Sequence, residues 1–378
     1  MAYQKLRGDQ LFDGQKLYGN DVVLLLDARG RKIDIVPVSE AGEDIHYLPG
    51  AILPGLVNAH CHLELSHLKG RIPEHTGLVS FLQQVVQQRA TEPSIIEEAI
   101  GLGLQEMKDD GIRAVGDICN TAHTLPFKTQ AGIRFHQFIE LISLSEAQLE
   151  TRTAAALQLR ERFLNEQPGP VSLSPHAPYT VHPAALRWLN EQTREQLITM
   201  HNQETPAENE LFQSGTGDFL RLYQAFGQTS SPIPVTGTTS IRAWLPYFRN
   251  GQRILLVHNT FMPEEDIVWA METAERNGVT LYHCFCIRAN QYIEGTMPDI
   301  PLFQRYGCRI VLGTDSLSSN HSLRLTDEMQ TLLSNFDSIT LEDSLRWACG
   351  TGWKALDMEP VWLTGSAIIQ RLQHRQGA

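Results

Sequence analysis

The stretch AILPGLVNAHCHLELSHLKG, residues 51–70, opens with an unbroken apolar run and then sets two histidines one residue apart. Residues 51–57 read as a buried strand, so His60 and His62 fall at its end. Positions i and i+2 of a strand share a face. Two imidazoles on one face at a strand terminus can chelate one metal ion. A bare HxH pair is also what chance places in a polar loop, so its meaning depends on the rest of the chain.

Outward from this stretch one rhythm repeats. Apolar runs at 114–118, 133–141, 171–173, 197–200, 254–257, 279–282 and 309–312 alternate with helical patterns at 78–89, 95–108, 147–164, 183–192 and 264–277. With the run before His60 these make eight strands separated by helices, which predicts an α/β chain whose residues 51–355 form a (β/α)₈ TIM barrel. Residues 1–50 differ. KLRGDQLFDGQKLYGNDVVLLLDARGRKIDIVPV (5–38) is strand and turn chemistry, with turns at Phe12-Asp13-Gly14 and Ala28-Arg29-Gly30. It predicts a small β-sandwich domain formed mainly by this N-terminal segment. Residues 356–378 are an atypical C-terminal tail.

Composition narrows the function. The chain has 378 residues, with 31 Lys and Arg against 43 Asp and Glu, for a net charge of -12, and its basic residues are scattered. That argues against nucleic acid or an anionic membrane as partner. The first residues contain no apolar signal core, and no run is long enough to span a bilayer, so the expected location is the cytoplasm. Six cysteines show no framework spacing and read as reduced thiols. The expected partners are a small-molecule substrate and a second copy in a homodimer.

In such barrels the reactive groups gather where strands end. His60 and His62 follow the first predicted strand, His176 the fourth, His201 the fifth, His258 the sixth and Asp315 the eighth. Any one of them alone would be read as a packing residue. Together they describe a site. Arg288 in CFCIRANQYIEG follows the seventh strand, where its guanidinium would reach the remote end of a substrate and bind a carboxylate through two hydrogen bonds.

The set HxH, HNQET (201–205), LVHN (256–259) and LGTDSLSSN (312–320) resembles the amidohydrolase superfamily, in its aminohydrolase branch of deaminases and chlorohydrolases. The resemblance spans residues 50–355, and SPHAPYT (174–180) is similar to a substrate-contacting segment of that branch. It implies one divalent metal ion, Zn²⁺ or Fe²⁺, held by His60, His62, His201 and Asp315. The run 171–176 has no lysine where two-metal relatives carry a carbamylated one, so a mononuclear site is expected. The resemblance also implies Glu204, His258 and Asp315 as catalytic residues, and His176, Glu64, Arg288 and Asn290 as substrate contacts. The chemistry fits those residue types. A bound ion lowers the pKa of water towards neutrality. Glu204 would protonate the ring nitrogen, Asp315 would take the proton of the attacking water and deliver it to departing ammonia, and His258 would steady the developing charge.

HCHLELSHLKG and IRANQYIEGTMPDIP look most like the members grouped with 6-amino-6-deoxyfutalosine deaminases of menaquinone synthesis, which convert an adenine-bearing nucleoside to its hypoxanthine form. Deamination or dechlorination of another purine, nucleoside or triazine is the alternative within the superfamily. A metal-binding barrel without turnover is the alternative outside it. Phe285, where relatives often have proline, and the tail MEPVWLTGSAIIQRLQHRQGA (358–378), which lacks the relatives' Gly-rich closing stretch, depart from the pattern. The tail leaves the small domain expected to be incomplete or closed in another way.

Overall fold

Gly55 breaks the apolar run 51–57 in two. In the computed structural model, which describes residues 3–167 and 169–373, Ala51–Pro54 pairs parallel with Gln10–Phe12 and antiparallel with Trp362–Thr364, whereas Leu56–Cys61 belongs to another sheet. A Cβ on Gly55 would lie 2.4 Å from Arg113 Cγ. Only glycine passes between the two sheets at this point, and the strand expected across 51–57 becomes two.

The small sheets are four-stranded. One runs Lys32–Pro37, Val22–Leu26, Gln4–Arg7, His46–Tyr47, and the other Trp362–Thr364, Ala51–Pro54, Gln10–Phe12, Leu17–Tyr18. Leu11, Leu24, Leu26 and Ile52 form their shared apolar cluster, with Trp362 packed against it. The tail therefore adds an edge strand to this unit, which is the second of the two expectations, closure in another way, rather than an incomplete domain. The helix Ser366–Gln373 then buries Ile368, Ile369 and Leu372, and Arg371 Nη1 reaches Asp110 Oδ1 at 2.8 Å. Residues 374–378 of the predicted tail lie outside the described residues.

The other two four-stranded sheets are parallel and consecutive. The first holds Leu56–Cys61, Ile112–Cys119, Arg134–Leu141 and Val171–Pro175; the second holds Leu197–Asn202, Arg253–His258, Thr280–Phe285 and Ile310–Leu312. Hydrogen bonds join them at both ends. His201 N donates to His176 O at 3.0 Å, linking the fourth strand to the fifth, and Thr314 N and Asp315 N each donate to His60 O at 3.1 Å, linking the eighth to the first. Alternate residues such as Val57, Ala59, Ala114, Phe138, Val257 and Cys284 form one cluster, and the intervening positions face the helices. Among the described residues no helix is long and apolar enough to cross a membrane.

A local irregularity aims the HxH pair. Asn58 pairs with Val115 but Cys61 pairs with Asp117, so one strand carries an extra residue between them. Such a bulge reverses which side chains face which way. Val57 and Ala59 face the inner cluster before it, while Cys61 packs on the helix-facing side after it. His60 and His62 thereby take over the inner face. Gly116 lies beside the bulge, where a Cβ would stand 2.3 Å from Ala59 O.

Candidate active site

The carboxyl ends of the parallel strands converge on one cluster. His62 Nε2 lies 3.1 Å from His60 Nε2 and 3.2 Å from His201 Nε2. Asp315 Oδ1 stands 3.6 Å from His60 Nε2 and 3.4 Å from His62 Nε2. All four residues are buried. Burial, the largest influence, pushes His62 down to about 3, against the pull of Asp315, and drives His201 well below the usual histidine range. Burial opposes ionisation of Asp315, but His60 and the other imidazoles beside it outweigh that and hold it below the carboxylate range. Ser319 Oγ donates to its other oxygen.

These donors fit a divalent ion. His201 Nδ1 donates to His176 O at 2.7 Å, which leaves Nε2 as a lone pair. His62 Nε2 faces that lone pair and His60 Nε2 together, and one proton cannot satisfy three nitrogens. Two nitrogens bound to one zinc at ~2.0–2.1 Å in tetrahedral directions stand roughly 3.3 Å apart, close to the spacings found. His60, His62 and Asp315 offer ligand atoms within 4.8 Å of one another, as do His60, His201 and His258. Glu140, His176 and His201 make a third such group. That group is a poor ligand set, because His201 Nδ1 is spent on the carbonyl.

Glu204 and His258 flank the cluster. Glu204 Oε1 lies 3.5 Å from His258 Nε2, and His258 Nδ1 meets Asn290 Oδ1 at 2.8 Å. Burial first, then the charges of Asp315, Glu294 and Glu208, raise Glu204 well above the carboxylate range, which favours its protonated form. Burial lowers His258 to about 4. The backbone at these strand ends is unusual. His258, Asn259, Asp315 and Gln203 have φ of 73°, 55°, 56° and 45°, a region that non-glycine residues rarely adopt and that clusters at functional sites.

A cavity of about 430 Å³ opens from the cluster. His62, Glu64, His176, His201, Glu204, His258 and Asp315 are among its lining. His176 Nδ1 is paired with Thr180 Oγ1 at 2.8 Å. Leu78, Phe81, Leu82 and Val85 of the helix Leu78–Gln88 face Leu222 and Tyr223 of Phe219–Ala225 across an apolar arm. The guanidiniums lining this cavity are Arg89 and Arg152.

Two expected contacts are placed elsewhere. Arg288 does not line the cavity: its Nε donates to Asn320 Oδ1 at 3.2 Å and its backbone N–H to Glu328 Oε2 at 3.1 Å. The cause is the helix Ile287–Glu294, which starts directly after the seventh strand and turns residue 288 away. Asn290, on the same helix, stands behind His258 and is absent from the cavity lining. Sequence reasoning missed Glu140, Asn120 and Arg89, all of which line the cavity. Glu140 had a signal, since it is a lone carboxylate at the end of the apolar run 133–141. Burial pushes it up to about 8.

Imidazoles and a carboxylate gathered at the carboxyl ends of eight parallel strands, beside a buried acid, are the arrangement of metal-dependent hydrolases. Residues 51–361 match the amidohydrolase family, and the chain belongs to it as a hydrolase acting on carbon–nitrogen bonds. It is 24% identical over 288 residues to the aminodeoxyfutalosine deaminase of a Nitratiruptor species, covering 75% of this chain and 67% of that one. It is 23% identical over 372 residues to a 5-methylthioadenosine/S-adenosylhomocysteine deaminase of Pyrococcus abyssi, covering 94% and 78%. The fold is similar to that of Helicobacter pylori aminofutalosine deaminase in complex with methylthio-coformycin, with a TM-score of 0.81 at 19% identity over 98% of this chain and 96% of that one. It is also similar to an adenosine deaminase from Xanthomonas campestris with bound zinc, at a TM-score of 0.71 and 19% identity over 99% and 87%.

Proposed function

We propose that this chain is a hydrolytic deaminase of an adenine ring carried on an elongated nucleoside, with 6-amino-6-deoxyfutalosine as the favoured substrate. The observation that carries the reading is the buried Glu204, 3.5 Å from His258 and raised by burial, beside the His60, His62, His201 and Asp315 cluster in a cavity also lined by apolar side chains. Those four residues would hold one divalent ion, zinc by preference. When bound, the ion supplies Lewis acidity that makes water nucleophilic at neutral pH.

The chain's own groups account for the protons. Glu204 donates its proton to the ring nitrogen next to the carbon under attack. Ionised Asp315 accepts one proton from the attacking water and returns it to the amino group, so that a C–O bond forms, the C–N bond breaks and ammonia departs, while the water's second proton restores Glu204 as the carbonyl forms. Neutral His258, whose Nδ1–H donates to Asn290 Oδ1, presents the Nε2 lone pair as an acceptor that orients the attacking water. The apolar arm favours a nucleoside with an apolar extension over a free purine or a triazine. Arg152 replaces Arg288 as the guanidinium for a distal carboxylate.

We also infer that the eight parallel strands close into a (β/α)₈ barrel running from residue 55, with residues 3–54 and 362–364 forming the small β unit. Their consecutive order and the hydrogen bonds at both seams support this. The test of function is ammonia release by purified protein loaded with zinc, on adenosine, 5′-methylthioadenosine, 6-amino-6-deoxyfutalosine and guanine, with metal analysis alongside. Release from the purine nucleosides with about one ion per chain is expected. Release from guanine alone, or full turnover without metal, would overturn the reading.

A further inference from the structure

The direction of Glu204 is set by its backbone. Its carboxyl makes no hydrogen bond among the described residues, and its Oε1 stands 3.5 Å from His258 Nε2. The chain reaches it through Gln203, which follows the fifth strand directly and turns with a φ of 45°. That turn decides where the acid points.

Several groups hold the turn, and one of them holds the part that leads into Glu204. Gln203 O accepts from Phe261 N at 2.8 Å, and Gln203 Nε2 donates to Asp266 Oδ2 at 2.8 Å. The two N–H groups belong to Glu208, whose Oε1 accepts from Gln203 N at 2.9 Å and whose Oε2 faces Glu204 N at 3.4 Å. Ser240 Oγ, at the start of the helix Ser240–Trp244, donates to the same Oε1 at 2.5 Å and tethers the carboxyl. Glu208 is the third residue of the helix Pro206–Ser214, where an acid ordinarily turns back to the N–H of the capping residue, here Thr205. Glu208 reaches past Thr205 to the two residues before it, so capping alone does not account for its placement. It is fully buried and absent from the cavity lining, so it acts on the turn and not on a ligand.

We propose that Glu208 is a positioning residue, which holds the N–H groups of Gln203 and Glu204 and so fixes the aim of the Glu204 carboxyl at the ring nitrogen. This rests on the deaminase reading, and the test separates the two. Ammonia release from adenosine and 5′-methylthioadenosine is measured in zinc-loaded wild type, Glu208→Gln, Glu208→Met and Ser240→Ala, each alone and combined with Glu204→Gln. Glu208→Gln keeps the shape but turns an N–H donor towards a group that itself donates. It should lower kcat roughly 10-fold and Glu208→Met up to about 100-fold, the scale of a reacting group misplaced by about 1 Å. KM and metal content should stay near the wild-type values. Ser240→Ala, which leaves the Glu208 carboxyl present but untethered, should show a smaller loss of kcat. In the Glu204→Gln background each loss should largely vanish, because a misdirected acid costs nothing once the acid is gone.

A merely structural role would lower kcat by the same factor in both backgrounds. That result overturns the proposal and leaves deamination standing, as do an unchanged kcat, a loss confined to KM, or loss of metal from the variants. Should neither Glu208 variant fold, Ser240→Ala carries the same comparison. Absence of ammonia from every nucleoside with the wild type overturns the deaminase reading and this proposal with it.

Discussion

The site works through what individual side chains lack as much as through what they have. Glu204 has no guanidinium or ammonium partner among the described residues, and burial, then the carboxylates around it, raise it well above the carboxylate range. Glu204→Gln preserves shape and removes the acid. We expect it to bind metal as the wild type does while turnover falls by a factor on the order of 10² or more. Metal loss in that variant would make Glu204 a ligand, and near-normal turnover would make it a packing residue. The two arginines give a second test at this scale. Arg152 lines the cavity and Arg288 does not. On a nucleoside carrying a distal carboxylate, Arg152→Met should cost roughly 1.5 to 3 kcal/mol in kcat/KM, the usual worth of a charged hydrogen bond, with little effect on adenosine. Arg288→Met should leave the ratio of the two substrates unchanged. The reverse result would return the anion site to the helix after the seventh strand. Histidines and carboxylates at strand ends could be read from the sequence because polar residues there interrupt apolar runs. Glu140 carried the same kind of signal near the end of the run 133–141, but a lone carboxylate there also fits a strand's solvent-facing position.

At the scale of elements, the helices Pro183–Gln192 and Glu264–Asn277 lie where periodicity puts them, and Leu78–Gln88 differs by one residue. What periodicity missed has physical causes. The strand 51–57 is split because Gly55 alone fits beside Arg113, a contact between distant segments. The bulge after Asn58 depends on pairing with the next strand, which no single strand reports. The short helix Phe219–Ala225, which walls the cavity, has too few turns to show a period. A buried ion pair links such elements to the site. Lys128, at the end of Leu125–Lys128, pairs with Asp117 on the second parallel strand, and both are fully buried. Asp117 Oδ1 accepts from Leu63 N at 3.0 Å, just past the HxH pair. Lys128 Nζ lies 5.1 Å from the centroids of both Phe135 and Phe163. Removing one partner of such a pair strands a buried charge at a cost of about 3–5 kcal/mol, whereas neutralising both costs less. Lys128→Met should therefore lower the urea midpoint sharply, and Lys128→Met with Asp117→Asn should recover much of the loss. Equal midpoints for the single and double variants would show that the two charges are not coupled.

Over the whole molecule, buried ionisable groups set opposing slopes of stability with pH. Burial raises Glu208 and Glu328 to about 7, so these favour the folded state at low pH and lose that contribution as pH rises through 7. Burial lowers His136 and His283 to about 3, aided by the charges of Arg253 and Arg309 respectively. Their folded values lie below the unfolded value near 6.5, so the unfolded chain binds the proton first. Their contribution is present above about pH 6.5 and is lost as pH falls towards 3. The two sets oppose each other between about pH 4.5 and 6.5, which makes the total curve a poor probe of either. A difference measurement isolates one group. His283 is 1% exposed, lies 5.1 Å from the Phe303 ring, and has no hydrogen-bond partner at either nitrogen. His283→Met removes two unsatisfied nitrogens and the titration together. At pH 7 the variant should be at least as stable as the wild type. Its advantage should then grow by roughly 1.4 kcal/mol per pH unit below 6.5, reaching about 2 kcal/mol at pH 5. Urea titrations of both proteins at pH 7, 6 and 5 measure it. A constant gap at the three values would mean that His283 takes up its proton in the folded state as readily as in the unfolded one, through a local opening between the seventh strand and the helix Ile300–Arg305 that covers it.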